Sequence, residues 1–178
     1  MGRLIVSVQM TMDSVMDQLE GWFDEQGDAE HHGVEESRAA DAVLLGRETY
    51  QHFSTFWPSA SGTYADLINP MPKYVASRTL AGPLAWNAEL LGPDTAAAVA
   101  AAKAEHPGTL ISYGCGKLAN LLAHRGLVDE LRFWLHPVVW GDGIRPFHPG
   151  ELPIRMRLIS AAPYDNGVVK VSYQPLAD

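Results

Sequence analysis

Thr109-Leu110-Ile111-Ser112-Tyr113-Gly114-Cys115-Gly116-Lys117-Leu118 is the stretch that decides the fold. Five residues of buried-strand character run into a turn bracketed by glycines, and a helix over residues 117–125 follows, closed by Gly126. A strand feeding a helix in this way is the unit of α/β architecture. Helix N-termini present N–H groups without partners and a partial positive charge, which suits phosphate. Glycine there lets the backbone approach a pyrophosphate with no Cβ in the way. The turn has neither the six-residue Rossmann spacing nor that of a P-loop, and such turns are as often purely structural. Cys115 reads as a small filler rather than a nucleophile, since no His/Asn partner is evident.

Upstream, the same unit recurs. Residues 42–45 form a buried strand ended by Gly46, and a helix over 47–53 follows, with Arg47 and Thr49 at its N-terminus. A third strand, 73–77, ends at Ser77-Arg78-Thr79. In open α/β sheets ligands bind beyond the carboxyl ends of strands, so three such ends are expected to form one anion-binding edge. An Arg beside a ribose distinguishes a cofactor that carries a 2′-phosphate. Further strands are expected at 4–10 and 88–91, with helices at 28–39, 64–69 and 95–105. The helix at 95–105 is Ala-rich, with Asp94 as its N-cap and Pro107-Gly108 as its stop. Residues 130–140, 156–162 and 168–173 read as longer strands, with Asp165-Asn166-Gly167 as a hairpin turn. The expected fold is α/β, a mostly parallel sheet flanked by helices and ending in an antiparallel hairpin.

With 178 residues and no internal repeat or linker, the chain is expected to form a single domain over 1–178. One cysteine rules out an internal disulfide and any cysteine-based zinc site. No apolar run approaches the roughly 20 residues of a membrane span, and the apolar N-terminal run is too short for a secretory signal. A cytoplasmic protein with no membrane partner is expected. The net charge of −8, without a Lys/Arg cluster, argues against nucleic acid. His31, His32, His52 and His148 have no metal-ligand spacing, so no metal is expected. Asp17, Glu20, Asp24, Glu25, Asp28, Glu30, Glu35 and Glu36 succeed one another with no Lys or Arg between. They read as a solvated loop and helix start, or as the source of one substrate carboxylate.

Val43-Leu44-Leu45-Gly46-Arg47-Glu48-Thr49-Tyr50, Tyr74-Val75-Ala76-Ser77-Arg78-Thr79 and Tyr113-Gly114-Cys115-Gly116-Lys117-Leu118 occur in that order. Thr11-Met12-Asp13-Ser14, Leu127-Val128-Asp129-Glu130-Leu131 and His136-Pro137-Val138-Val139-Trp140-Gly141-Asp142-Gly143 accompany them. Together they resemble the dihydrofolate-reductase-like superfamily, and more closely the stand-alone relatives of the riboflavin-biosynthesis reductase domain. The resemblance implies NADPH as hydride donor and a small pterin- or pyrimidine-like heterocycle as substrate. It implies cofactor contacts at Gly46, Arg47 and Thr49, at Ser77 and Arg78 around the 2′-phosphate, and at Gly114, Cys115, Gly116, Lys117 and Leu118 around the pyrophosphate. It also implies a substrate carboxylate on the first helix. Counting back from Gly46 favours Glu30, whereas Trp22-Phe23-Asp24 favours Asp24.

Asp13 is a third acidic candidate, to orient substrate and help deliver a proton, or else a turn carboxylate capping its own loop. Trp22 and Trp57 are candidates to stack on a flat substrate, or plain packing residues. Two departures stand out. The riboflavin-pathway reductases show Gly and Lys where this chain has Ser14 and Val15, and they hold a ribose phosphate with basic residues where this chain is acidic. Carboxylates repel such a phosphate by about 1 kcal/mol per contacting charge pair even in water. The alternative to a reductase is a non-catalytic nucleotide-binding or dimerising module that kept the fold. A homodimer is expected from the long C-terminal strands and from Trp134 and Trp140, which look exposed.

Overall fold

Short runs rich in Val, Ile and Leu, too brief for helices and bounded by Gly, Pro or Asp, become strands buried on both faces. The computed structural model describes residues 2–23, 28–147 and 153–176. Its strands are β1 (Arg3–Thr11), β2 (Ala42–Gly46), β3 (Lys73–Ala76), β4 (Ala88–Leu90), β5 (Thr109–Tyr113), β6 (Glu130–His136), β7 (Met156–Pro163) and β8 (Val169–Pro175). Its helices are α1 (Asp28–Arg38), α2 (Arg47–Phe56), α3 (Thr63–Ile68), α4 (Thr95–Glu105) and α5 (Lys117–His124). The strands form one sheet in the order β4-β3-β2-β5-β1-β6-β8-β7. The pairs β1–β6, β2–β3, β2–β5 and β3–β4 are parallel, and β8 runs antiparallel to both β6 and β7. This is the expected mostly parallel sheet with an antiparallel hairpin at its end.

Local signals act as their chemistry requires. The Asp94 carboxylate accepts from Ala97 N at 3.1 Å and caps α4. Gly126, at φ +65°, reverses the chain after α5, and Leu127 N donates to Leu122 O at 2.9 Å. In the hairpin, Tyr164 N donates to Val168 O at 2.8 Å, and Gly167 takes φ +83°. Two boundaries differ from expectation by more than two residues. β6 stops at His136 rather than running to 140, because Pro137 has no N–H for the ladder. α2 continues to Phe56 rather than ending at 53, since no helix breaker occurs before Pro58.

By its internal contacts the chain divides into two compact units, Met1–Leu4 with Val34–Tyr113, and Ile5–Gly33 with Gly114–Asp178. In the first, Val43, Leu45, Tyr50, Ile68, Val75 and Ile111 form a buried cluster, with Phe53, Trp57 and Trp86 packed against it. Lys73 is buried in the same unit. Its Nζ donates to Asn69 O at 2.7 Å and lies 4.2 Å from the Trp86 ring centroid. Burial lowers its pKa to about 8.

In the second unit, Trp134 is buried, which corrects its exposed reading. It stacks on Tyr164 with ring centroids 5.6 Å apart, and its Nε1 donates to Ser7 Oγ at 3.1 Å. Lys170 Nζ lies 4.8 Å over the indole, a cation that holds a polar end against an aromatic one. Among the described residues, no helix is long and apolar enough to cross a membrane.

Candidate functional site

In the first unit, β2 and β3 are parallel with Gly46 opposite Ala76, so the two chains leave the sheet side by side. Gly46 opens α2 without a side-chain cap, which leaves the first-turn N–H groups to another acceptor. Arg47 is exposed and pairs with Glu48 at 3.0 Å, while Thr49 is half-buried in the same turn. Ser77 Oγ accepts from Thr79 N at 3.1 Å and Leu80 N at 3.0 Å. Those bonds shape the turn and keep the hydroxyl proton available for donation. Arg78 is exposed and has no hydrogen-bond or ion-pair partner among the described residues.

The second unit carries the glycine turn. Gly114 takes φ +84°, and its N–H donates to Ser7 O at 3.0 Å. Gly116 opens α5, again with no side-chain cap. A Cβ built on Gly114 or Gly116 would meet nothing within 4 Å, so internal packing is not what demands glycine at 116. Cys115 is buried, as a filler would be, Leu118 is half-buried, and Lys117 is exposed without a partner among the described residues.

Asp13 holds a loop together. Its Oδ1 accepts from Thr11 Oγ1 at 2.7 Å and Trp140 N at 2.9 Å, and its Oδ2 accepts from Gly141 N at 2.8 Å. The Trp140 amide, the Thr11 hydroxyl and the Gly141 amide together hold this carboxyl well below the usual carboxylate range. Such a group stays ionised at neutral pH, so the geometry favours the turn-carboxylate reading over proton delivery. Asp17 acts alike, its Oδ1 accepting from Ile144 N at 2.8 Å. Ser14 sits at φ +69°, the left-handed region that glycine enters without strain.

Of the other carboxylates, Glu30 is exposed on α1, and Asp24 lies outside the described residues, as does His148. Trp57 packs edge-on against Phe53 and Phe56, with its carbonyl accepting from Asn69 Nδ2 at 3.0 Å, which is the packing role. Trp22 is buried, and its Nε1 donates to Asp17 O at 2.8 Å. Its ring lies edge-on to His136 at 5.2 Å. Among the described residues, no group of three or more His, Cys, Asp or Glu gathers to hold a metal.

Two residues that no motif marked as site residues meet here. Thr11 lies opposite His136 and Gln9 opposite Trp134 in the parallel β1–β6 register, so Gln9 and His136 share a face. His136 Nε2–H donates to Gln9 Oε1 at 2.8 Å, since a carbonyl oxygen can only accept. The sequence signal was Gln9 itself, a polar side chain inside an otherwise apolar run.

Comparison with known proteins bears on the fold and the family. The chain is 26% identical over 178 residues to the uncharacterized protein YyaP of Bacillus subtilis (strain 168), covering 96% of this chain and 94% of that one. It superposes with a TM-score of 0.75 and 17% identity on a protein of Shewanella sp. PV-4 provisionally named for riboflavin biosynthesis, covering 98% of this chain and 99% of that chain. A pyrimidine reductase-like protein of Corynebacterium diphtheriae gives a TM-score of 0.69 at 12% identity, over 99% and 92% of the two chains. With the Thermotoga maritima diaminohydroxyphosphoribosylaminopyrimidine deaminase/5-amino-6-(5-phosphoribosylamino)uracil reductase the TM-score is 0.67 at 13% identity, over 98% of this chain and 57% of that one. The family model of the RibD C-terminal domain matches residues 3–170, and the chain belongs to that family.

Proposed function

We propose that this protein is an NADPH-dependent reductase of a small pterin- or pyrimidine-like heterocycle. The observation that carries the reading is the pair of strand ends in the first unit. There the uncapped start of α2, with Arg47 and Thr49, stands beside Ser77 and Arg78, which has no partner among the described residues. Two guanidinium groups, two hydroxyls and a row of backbone N–H groups suit a nucleotide bearing several phosphates. The contrast with α4 supports this, because that helix is capped by its own Asp94. Within the second unit, Gly114 and Gly116 open α5 with no Cβ to hold an anion off its first N–H groups, and Lys117 and Leu118 follow in its first turn. NADPH supplies the hydride when bound, and the protein's part is to orient the reactants and exclude water.

The spent Asp13 carboxylate favours a second reading, a nucleotide-binding module without turnover. A titration of the purified protein with NADPH and NADH, followed by tryptophan fluorescence, tests the first. Saturable binding that prefers NADPH is expected, with Arg78→Ala weakening NADPH by about tenfold or more and leaving NADH nearly unchanged. Absence of binding by either nucleotide at millimolar concentration would overturn the assignment. Tight NADPH binding with no turnover of dihydrofolate, dihydropterins or the riboflavin intermediate would favour the second reading.

A further inference from the structure

We infer that Gln9, oriented by His136, is the residue that selects a heterocycle bearing an oxo group, an inference that rests on the reductase reading above. The pair sits toward the carboxyl ends of two parallel strands, β1 and β6, where open α/β sheets bind ligands. His136 is only 3% exposed and is held on two sides, with Trp22 at 5.2 Å and Phe23 at 5.3 Å between ring centroids. Trp22 is itself anchored through its indole N–H to Asp17 O. The imidazole therefore cannot swing, and its Nε2–H fixes the Gln9 amide by taking the carbonyl oxygen.

That leaves the other end of the amide defined. Gln9 Nε2 has no partner among the described residues, and the side chain is only partly buried. Two N–H donors with a set direction match a carbonyl oxygen, and they reject an amino group in its place, which would oppose donor to donor. Phe23, 37% exposed beside His136, adds an apolar ring next to that polar edge. A flat, oxo-bearing pteridine or pyrimidine presents both an acceptor edge and a π-face. Gln9 would then contact substrate directly, while His136 is a positioning residue that acts through it.

The test compares two probes that differ at one position, pterin (2-amino-4-oxopteridine) and 2,4-diaminopteridine, bound to the full chain in saturating NADPH. Wild type is expected to bind the 4-oxo probe about tenfold or more tightly. Gln9→Glu, which replaces the donors with an acceptor, should reverse the preference, and Gln9→Leu should abolish it. His136→Leu, which frees the amide to rotate, should lose the discrimination that His136→Asn, with a side-chain N–H, keeps. NADPH affinity and melting temperature serve as controls in each variant. A preference ratio unchanged in folded Gln9→Leu and Gln9→Glu would overturn the inference and leave the reductase reading intact. Failure of wild type to bind either probe, with NADPH bound, would overturn it as well. Failure to bind NADPH would instead strike the reductase reading itself.

Discussion

Asp13 and Lys73 are two ionisable residues whose surroundings push them in opposite energetic senses. Asp13 accepts three hydrogen bonds, and its pKa is lowered chiefly by the Trp140 amide. A carboxyl whose folded pKa lies below its unfolded value contributes stability that is fully present above about pH 4 and is lost as pH falls through the folded value. Asp13→Asn should therefore lower the melting temperature at pH 7, with the gap to wild type starting to narrow below about pH 4 and narrowing further as pH falls in a thermal-melt series. A gap independent of pH would contradict the assignment. Lys73 is the reverse case. Burial lowers its pKa from 10.5 to about 8, so between those values the unfolded chain binds more protons than the folded one. Stability should rise with pH across that window, by up to roughly 3 kcal/mol. Lys73→Met should remove that rise in denaturant titrations at pH 8 and pH 10.

At the scale of elements, the two loops that follow β1 and β6 are tied together by main chain as well as by Asp13. Met12 N donates to Val138 O at 2.8 Å, and Met16 N donates to Ile144 O at 2.9 Å. Arg145 Nε adds a bond to Asp13 O at 3.2 Å. The clasp also has a steric element. A Cβ on Gly21 would fall 2.5 Å from Cη2 of Trp140, a rigid ring that itself donates to Gln18 Oε1 at 3.3 Å. Gly21→Val should cost roughly 1–3 kcal/mol by overpacking, read as a lower denaturation midpoint at unchanged m-value. A neutral result would show that the Trp140 ring moves freely. The acidic run thus divides by role, with Asp17 bonded into the clasp beside Asp13 and with Glu30 and Glu35 on the exposed side of α1.

Across the whole molecule, the order of strands and helices was legible because it depends on local chemistry. The period of apolar residues, the Asp94 cap, the glycines at 114 and 126 and the 165–167 turn each act within a few residues of chain. The same locality made Ser77, Arg78 and the Gly114–Lys117 turn identifiable as anion-binding candidates. Other features depend on partners far along the chain. Asp13 became a clasp carboxylate through amides at 140 and 141, and Trp134 was buried by Tyr164 and Lys170 of the hairpin. Gln9 gained its oriented amide from His136, 127 residues away. By itself the sequence determined the fold class and the element order and nominated candidates to meet a phosphate, since periodicity, caps and turns are short-range. Tertiary structure alone decided which carboxylates and aromatics were already spent on the protein's own groups, because hydrogen bonds and packing join residues that are close in space, however distant they are in the chain.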